Sequence, residues 1–271
     1  MQFVIRDDDL NYFSKPADIE RWYTDIFAQH IPVGFSAIPF VKPTSDVYTA
    51  GARAEEREYP ISGNTELVAY VKGQPLIEIL QHGTTHETKN GYEYSKTSGL
   101  VSDTRRGKEE LEKTFGAQFK NVFVPPHDWI GNHGIRAGEA AHLNIIRGRG
   151  AGLRNWIPRF AYLRIFLMIL AFRLAYAFKA TFPAYPYVLD FGKHKEACSY
   201  RLEDTDVFDG LAYAHQKNGI FVVVTHLHFF TDEKKERLLR LIEKAREHNA
   251  EFVYPRELFK RNGGRDTTAA R

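Results

Sequence analysis

Two periodicities alternate along the chain. Residues 2–6, 33–40, 76–80, 121–124, 143–147 and 219–225 are short, apolar, β-prone runs, of which Gly219-Ile220-Phe221-Val222-Val223-Val224-Thr225 is the clearest. Residues 187–191 and 251–254 read as two further short strands. Between these runs apolar positions recur at helical spacing. Residues 16–29 place Ile19, Trp22, Tyr23 and Ile26 on one side, residues 104–115 pair Leu111 with Phe115, and residues 207–217 and 233–248 form two more helices. Strands that are apolar throughout and followed by helices belong to a parallel sheet. The repeated unit predicts an α/β fold, a single distorted (β/α)7-like barrel with its active site at the C-terminal ends of the strands.

The polar stretch 42–64 reads as a long loop, and residues 263–271 as a disordered tail behind one domain over 1–262. An insertion at about 150–185 departs from the pattern. No Asp or Glu occurs between Glu139 and Asp190, whereas Arg147, Arg149, Arg154, Arg159, Arg164, Arg173 and Lys179 all fall there. Within it, residues 160–178 predict a helix on which Leu163, Leu167, Leu170 and Leu174 share a stripe, with Ile165, Phe166, Ile169 and Phe172 elsewhere around it. A barrel helix ordinarily turns a charged face to water, and this one has almost none. Two arginines within it argue against a membrane span. Its aromatic and basic residues suit a helix lying on an anionic membrane surface, with Trp156, Phe166 and Leu170 as contacts.

Composition narrows the field further. A 271-residue chain that is 43% hydrophobic can bury one large core, and a net charge of +3 gives no reason to expect a nucleic-acid partner. The single cysteine, Cys198, excludes an internal disulfide framework. The N-terminus begins on a strand without a leader pattern, which predicts a cytoplasmic protein, peripheral on the inner membrane face.

Polar clusters follow four of the strands: Asp7-Asp8-Asp9, His82-Gly83-Thr84-Thr85-His86, Pro126-His127-Asp128-Trp129 and Thr225-His226-Leu227-His228. Each alone has an ordinary structural explanation as a cap, a turn or an edge. Together, at equivalent ends of one α/β pattern, they converge imidazole and carboxylate donors of the kind that hold a first-row divalent metal.

In these motifs the chain resembles the polysaccharide deacetylase group, the NodB-homology domain of carbohydrate esterase family 4. That group's motifs run in the order of Asp7-Asp8, His82 to His86, Val124-Pro125-Pro126-His127 and Val223-Val224-Thr225-His226. The third is the loosest, with Val124 and His127 where the family has arginine and tyrosine, and Arg6 can take over the orienting of the base aspartate. The resemblance implies a metal held by Asp8, His82 and His86, with Asp7 as general base and His226 as general acid. Asp9 stands at the family's glycine and could exchange roles with Asp8; His228 is a second candidate for the acid. Arg6, His127, Asp128, Trp129 and His228 would surround the substrate. The implied cofactor is one divalent metal, zinc ahead of cobalt, nickel or manganese.

The implied reaction is hydrolysis of the N-acyl (acetyl or formyl) amide of an amino sugar. Some relatives of the family deacylate polyprenyl-phosphate-linked amino sugars, such as a formamido-arabinose, in lipid A modification, and the basic apolar insertion resembles theirs in character. Two alternatives stand beside this expectation. One is a soluble glycan or peptidoglycan deacetylase, the other a catalytically silent barrel that binds sugar or lipid.

Overall fold

A computed structural model describes residues 1–42, 57–87, 91–95, 98–149, 163–176 and 183–260. Along the chain run β1 (Gln2–Leu10), α1 (Pro16–Phe27), β2 (Val33–Ala37), β3 (Phe40–Val41), β4 (Tyr59–Pro60), α2 (Thr65–Gly73), β5 (Ile77–His82), α3 (Leu100–Phe115), β6 (Phe119–Val124) and α4 (Asn132–Ala140). They are followed by β7 (Asn144–Gly148), α5 (Leu163–Tyr176), β8 (Leu189–Asp190), β9 (Lys195–Arg201), α6 (Val207–Gln216), β10 (Ile220–His226), α7 (Asp232–Glu247) and β11 (Glu251–Phe252). Strands β1, β2, β5, β6, β7, β9 and β10 pair in parallel in that order, and β10 returns to β1. The predicted seven-stranded barrel is therefore closed, with helices around it.

The hydrophobic pattern missed α2, α4 and β9. Helix α2 is only nine residues long and owes its start to Asn64, whose side chain accepts from the Leu67 amide. Strand β9 hides because one of its faces is polar. Glu196 is 2% exposed yet charged, held by Arg147 of β7 and by His194 at 3.0 Å.

Strand alternation assigns every side chain near the site. Val4, Leu80, Val122, Val124, Ile146, Ala197 and Val222 form one buried cluster inside the barrel, closed below by Val253, Leu258 and Phe259. Phe3, Ile5, Ile79, Phe123, Ile145 and Val223 belong to the cluster between the strands and the helices. With a period of two, Arg6 and Asp8 share the inner face with Val4, whereas Asp7 shares the outer face with Phe3 and Ile5. By the same count His82 and His226 point inward above Leu80 and Val222. The plug demands Gly34, because a Cβ there would lie 2.4 Å from Pro255 Cγ.

Helix α5 packs on the barrel's outside through Ile165 and Ile169, against Leu189, Phe191 and Tyr185, with Phe172 edge-on to Tyr185. Among the side chains described, its outward positions are Leu163, Leu167, Met168, Ala171, Leu174 and Ala175, all apolar. Leu167 is 52% and Leu174 64% exposed. The outward face is thus the predicted leucine stripe less Leu170. Phe166 and Leu170, expected as the outer contacts, are half-buried because they turn toward the barrel side. Trp156 and the tail at 263–271 lie outside the described residues. No helix among the described residues is long and apolar enough to cross a membrane.

Candidate metal centre and active site

The three aspartates at the end of β1 go to three different places. Asp7 points out of the barrel beneath α1. Its carboxylate accepts from Tyr23 Oη at 2.5 Å, from Thr225 Oγ1 at 2.7 Å and from the Leu227 amide at 3.0 Å. Burial raises its pKa to about 7, against the pull of these donors. Expected as the base, Asp7 is a buried structural group, because the strand's alternation turns it away from the cavity.

Asp8 points inward. Its Oδ2 accepts from Arg6 Nη2 at 2.8 Å, while its Oδ1 makes no hydrogen bond. Arg6, wholly buried in the barrel, also donates to Asp128 Oδ1 at 3.2 Å and to the Ile146 carbonyl at 3.1 Å. Burial works against the charge of Arg6, but the two carboxylates outweigh it and the guanidinium stays ionised. The expectation that Arg6 touches substrate is corrected, since it has no exposed surface. Its orienting of an aspartate is as expected, with Asp8 in place of Asp7.

Asp9 breaks the strand. It has φ 74°, in the left-handed region, and the β1–β2 register shifts between Asp7 and Leu10. The irregularity carries its carboxylate over the barrel mouth. Oδ1 of Asp9 lies 3.2 Å from His82 Nε2 and 3.3 Å from His86 Nε2, aligned with neither as a hydrogen-bond acceptor. The carboxylate beside the histidines is thus Asp9, which corrects the expectation for Asp8.

Of the two imidazoles only His82 is held from behind, since His86 Nδ1 is buried without a hydrogen bond among the described residues. His82 Nδ1 lies 3.0 Å from the Val124 carbonyl. A carbonyl only accepts, so Nδ1 carries a proton. Burial opposes a charge on this ring, but Asp9 and Asp8 outweigh it and raise its pKa, and a cation in the site would take the place of the proton on Nε2. Burial drives the pKa of His86 down to about 3, leaving the neutral ring that a ligand requires. Burial opposes the charge of Asp9 too, but the two histidines hold its carboxyl well below the usual range. Asp9, His82 and His86 are all buried, and one donor atom from each lies within 4.8 Å of the others. A buried carboxylate oxygen without a hydrogen bond, facing two imidazole nitrogens, fits a divalent cation.

The remaining strand ends complete a cavity of about 310 Å³ lined by Asp8, Asp9, His82, His86, Tyr92, His127, Asp128, Arg201, His226 and Phe229. His127 and Asp128 have φ 57° and 55°, a turn that brings the His127 ring 4.5 Å from His86 and 4.8 Å from Tyr92. Gly148 makes room for this turn, as a Cβ there would lie 2.7 Å from Asp128 Oδ2. The Asp128 and Trp129 amides donate to Pro125 and Pro126 within the turn. Trp129 packs on Tyr92 at 6.3 Å between ring centroids and does not itself line the cavity. His226 lines the cavity in register with Asp8. His228 does not line it. Its Nε2 lies 3.2–3.3 Å from Asn11, Ser14 and the Asp9 carbonyl, so its assignment to the substrate or to the acid is corrected. Tyr92, Arg201 and Phe229 were missed. Arg201 lies on the unrecognised β9, and Tyr92 and Phe229 lie in turns that carry no periodic signal.

No protein-family model and no curated protein matches the sequence. Solved structures do. The chain is similar to the Xyl-CE4 domain of a multidomain xylanase from the hindgut metagenome of Trinervitermes trinervoides, with TM-score 0.50 and 12% identity over 97% of this chain and 92% of that one. A peptidoglycan N-acetylglucosamine deacetylase solved with an N-oxidanyl-benzamide gives TM-score 0.51 and 12% identity over 97% and 90%. A mutant of a CE4 family pseudoenzyme gives TM-score 0.50 and 11% identity over 95% of this chain and 66% of that one. At such identities the likeness establishes a shared barrel.

Proposed function

We propose that this protein is a metal-dependent amide hydrolase that removes the N-acyl group of an amino sugar. The observation that carries the reading is one cavity holding Asp9, His82 and His86 as a buried donor set, an uncommitted Asp8 oxygen and His226. A divalent ion in that set would polarise the amide carbonyl and make water acidic enough to serve as nucleophile near neutral pH. Asp8, anchored through Oδ2 by Arg6, presents Oδ1 to take the proton of the attacking water. His226, on the neighbouring strand end, gives a proton to the nitrogen as the C–N bond breaks, so that the products are a carboxylic acid and a free amine. Tyr92 and Phe229, both more than two-fifths exposed, offer ring faces to a sugar. The similarity to a peptidoglycan N-acetylglucosamine deacetylase supports this class of substrate.

Two further observations favour a substrate linked to a polyprenyl phosphate at the cytoplasmic membrane face. Arg201 lines the cavity without an ion-pair partner among the described residues, and so suits a phosphate oxygen. The outward side chains described on α5 are apolar, in a stretch that carries seven basic residues and no acidic one between Glu139 and Asp190. Such a face can rest on anionic lipid, each basic residue near the surface adding about 1 kcal/mol. The test is a panel of N-acetyl and N-formyl amino sugars, free, polymeric and polyprenyl-phosphate-linked, assayed for acetate or formate. Release from the lipid-linked member above all supports the full reading. Release from the polymer alone removes the lipid, and release from none with metal bound leaves a binding barrel.

A further inference from the structure

Between the two histidines the backbone does something that neither ligand explains. Gly83 and His86 have φ 62° and 59°, and the intervening amides turn inward to a single point. The carboxylate of Glu93 occupies that point. Its Oε1 accepts from the Thr85 amide at 2.9 Å and the Thr84 amide at 3.2 Å, and Oε2 from the Thr84 and His86 amides at 3.1 Å each. Thr85 Oγ1 adds a fourth donor at 3.2 Å. Glu93 is 4% exposed, and no cation pairs with it among the described residues. The contact is close enough that a Cβ at Gly83 would lie 2.5 Å from Glu93 Oε2.

Burying a carboxylate without a cation beside it is costly. What the arrangement achieves is a fixed path for the chain from His82 to His86. The next residue anchors the segment to the helix layer without touching the Glu93 carboxylate. Tyr94 is fully buried, with its hydroxyl 2.8 Å from Thr104 Oγ1 and 3.3 Å from Thr84 Oγ1, and its carbonyl accepts from the Gly131 amide. On the other side, Tyr92 forms the cavity wall against His127. One short segment thus ties the histidine loop, the helix layer and the substrate wall together.

We infer that Glu93 is a positioning residue for the metal centre: its carboxylate templates the loop that sets His86 against His82 and Asp9. This rests on the metal-centre reading above. A glutamine in its place would turn an NH₂ group toward converging N–H donors, and an aspartate would fall a methylene short. Neither change touches a ligand side chain.

The test titrates metal-free wild type, Glu93→Gln, Glu93→Asp and Thr104→Val with Co²⁺, reading Kd and the visible d–d bands, and measures Tm without metal. Glu93→Gln should bind Co²⁺ about 10–100-fold more weakly with an altered band envelope, as loss of groups that orient ligands typically does, and Glu93→Asp should fall between. Thr104→Val loosens Tyr94 without touching the carboxylate, and should lower Tm while leaving Kd within about twofold. A folded Glu93→Gln with wild-type Kd and spectrum overturns the inference, as does a Thr104→Val that weakens Kd equally. If Glu93→Gln does not fold, Glu93→Asp decides by the same criteria. Wild type that takes up no Co²⁺ defeats the metal-centre reading itself; wild type that binds, with variants that match it, defeats only the role of Glu93.

Discussion

Replacing Arg6 by methionine should separate the barrel's stability from its metal affinity. The guanidinium has no exposed surface, and its partners Asp8 and Asp128 have side chains 6% and 22% exposed. Removing one member of a buried ion pair costs about 3–5 kcal/mol, because the other charge is left without compensation. Most of this should come from Asp8, the more deeply buried partner at 2.8 Å, and little from Asp128, which water reaches. Neutralising Asp8 in the same chain should then return part of the loss. Arg6→Met with Asp8→Asn is expected to be less destabilised than the sum of the single variants by about 1–3 kcal/mol. Urea denaturation of the four metal-free proteins at pH 7 measures the cycle, with m-values checked for a common two-state transition. Turnover by metal-loaded Arg6→Met should fall, because Asp8 loses its anchor, while Co²⁺ Kd should change little, because Asp9 is not part of the pair. A cost for Arg6→Met below about 1 kcal/mol, or additivity within about 0.5 kcal/mol, would refute the coupling.

Asp7→Asn should behave as a stability variant, lowering Tm by the equivalent of about 1–3 kcal/mol while metal binding and most turnover persist; a collapse of turnover with full metal occupancy would return the base to Asp7. Glu78, inside the barrel beside Arg256, has its pKa raised by burial from the ordinary 4.5 to about 7. Between those values the native state holds a proton that the unfolded chain has released, so stability must fall as pH rises through that range. Glu78→Gln should flatten the fall and be the more stable protein at about pH 8, by up to roughly 3 kcal/mol; parallel Tm–pH curves would contradict this. Leu167→Asp with Leu174→Asp, both on the outward face of α5, should leave Tm near wild type but abolish co-sedimentation with anionic liposomes; unchanged sedimentation would remove the membrane contact.

The fold was legible where both faces of a strand are apolar, as at Phe3 to Ile5 in β1 and in β10, and illegible where buried charge took the place of apolar surface. Lys195 to Arg201 does not read as a strand because Glu196 is satisfied by Arg147 and His194, partners distant in sequence. The histidine pair and the acidic cluster were visible as converging donors, and Asp9, His82 and His86 do come together. On the proposed reading their roles shift by one residue, and strand parity already separates Asp7 from Asp8: Phe3 and Ile5 face the helices, Val4 the barrel interior. What parity does not supply is the left-handed residue that swings Asp9 over the mouth. Glu93 left no signal, since its partners are backbone amides that every sequence possesses. Helix α5 was found by composition, but which residues face outward depends on where β8 and Tyr185 meet it.

The central claim is that Asp9, His82 and His86 hold a metal on which Asp8 acts as base, and bound-metal analysis of two neighbouring variants tests it most directly. Wild type, Asp9→Ala and Asp8→Asn would be loaded with Zn²⁺ or Co²⁺, freed of excess, and measured for metal per chain and for acyl release from an N-acyl amino sugar. The account predicts about one ion per chain in wild type and in Asp8→Asn, with turnover in the latter down by about 10²–10⁴-fold, and neither metal nor turnover in Asp9→Ala. Full occupancy in Asp9→Ala, or metal lost from Asp8→Asn instead, would contradict it.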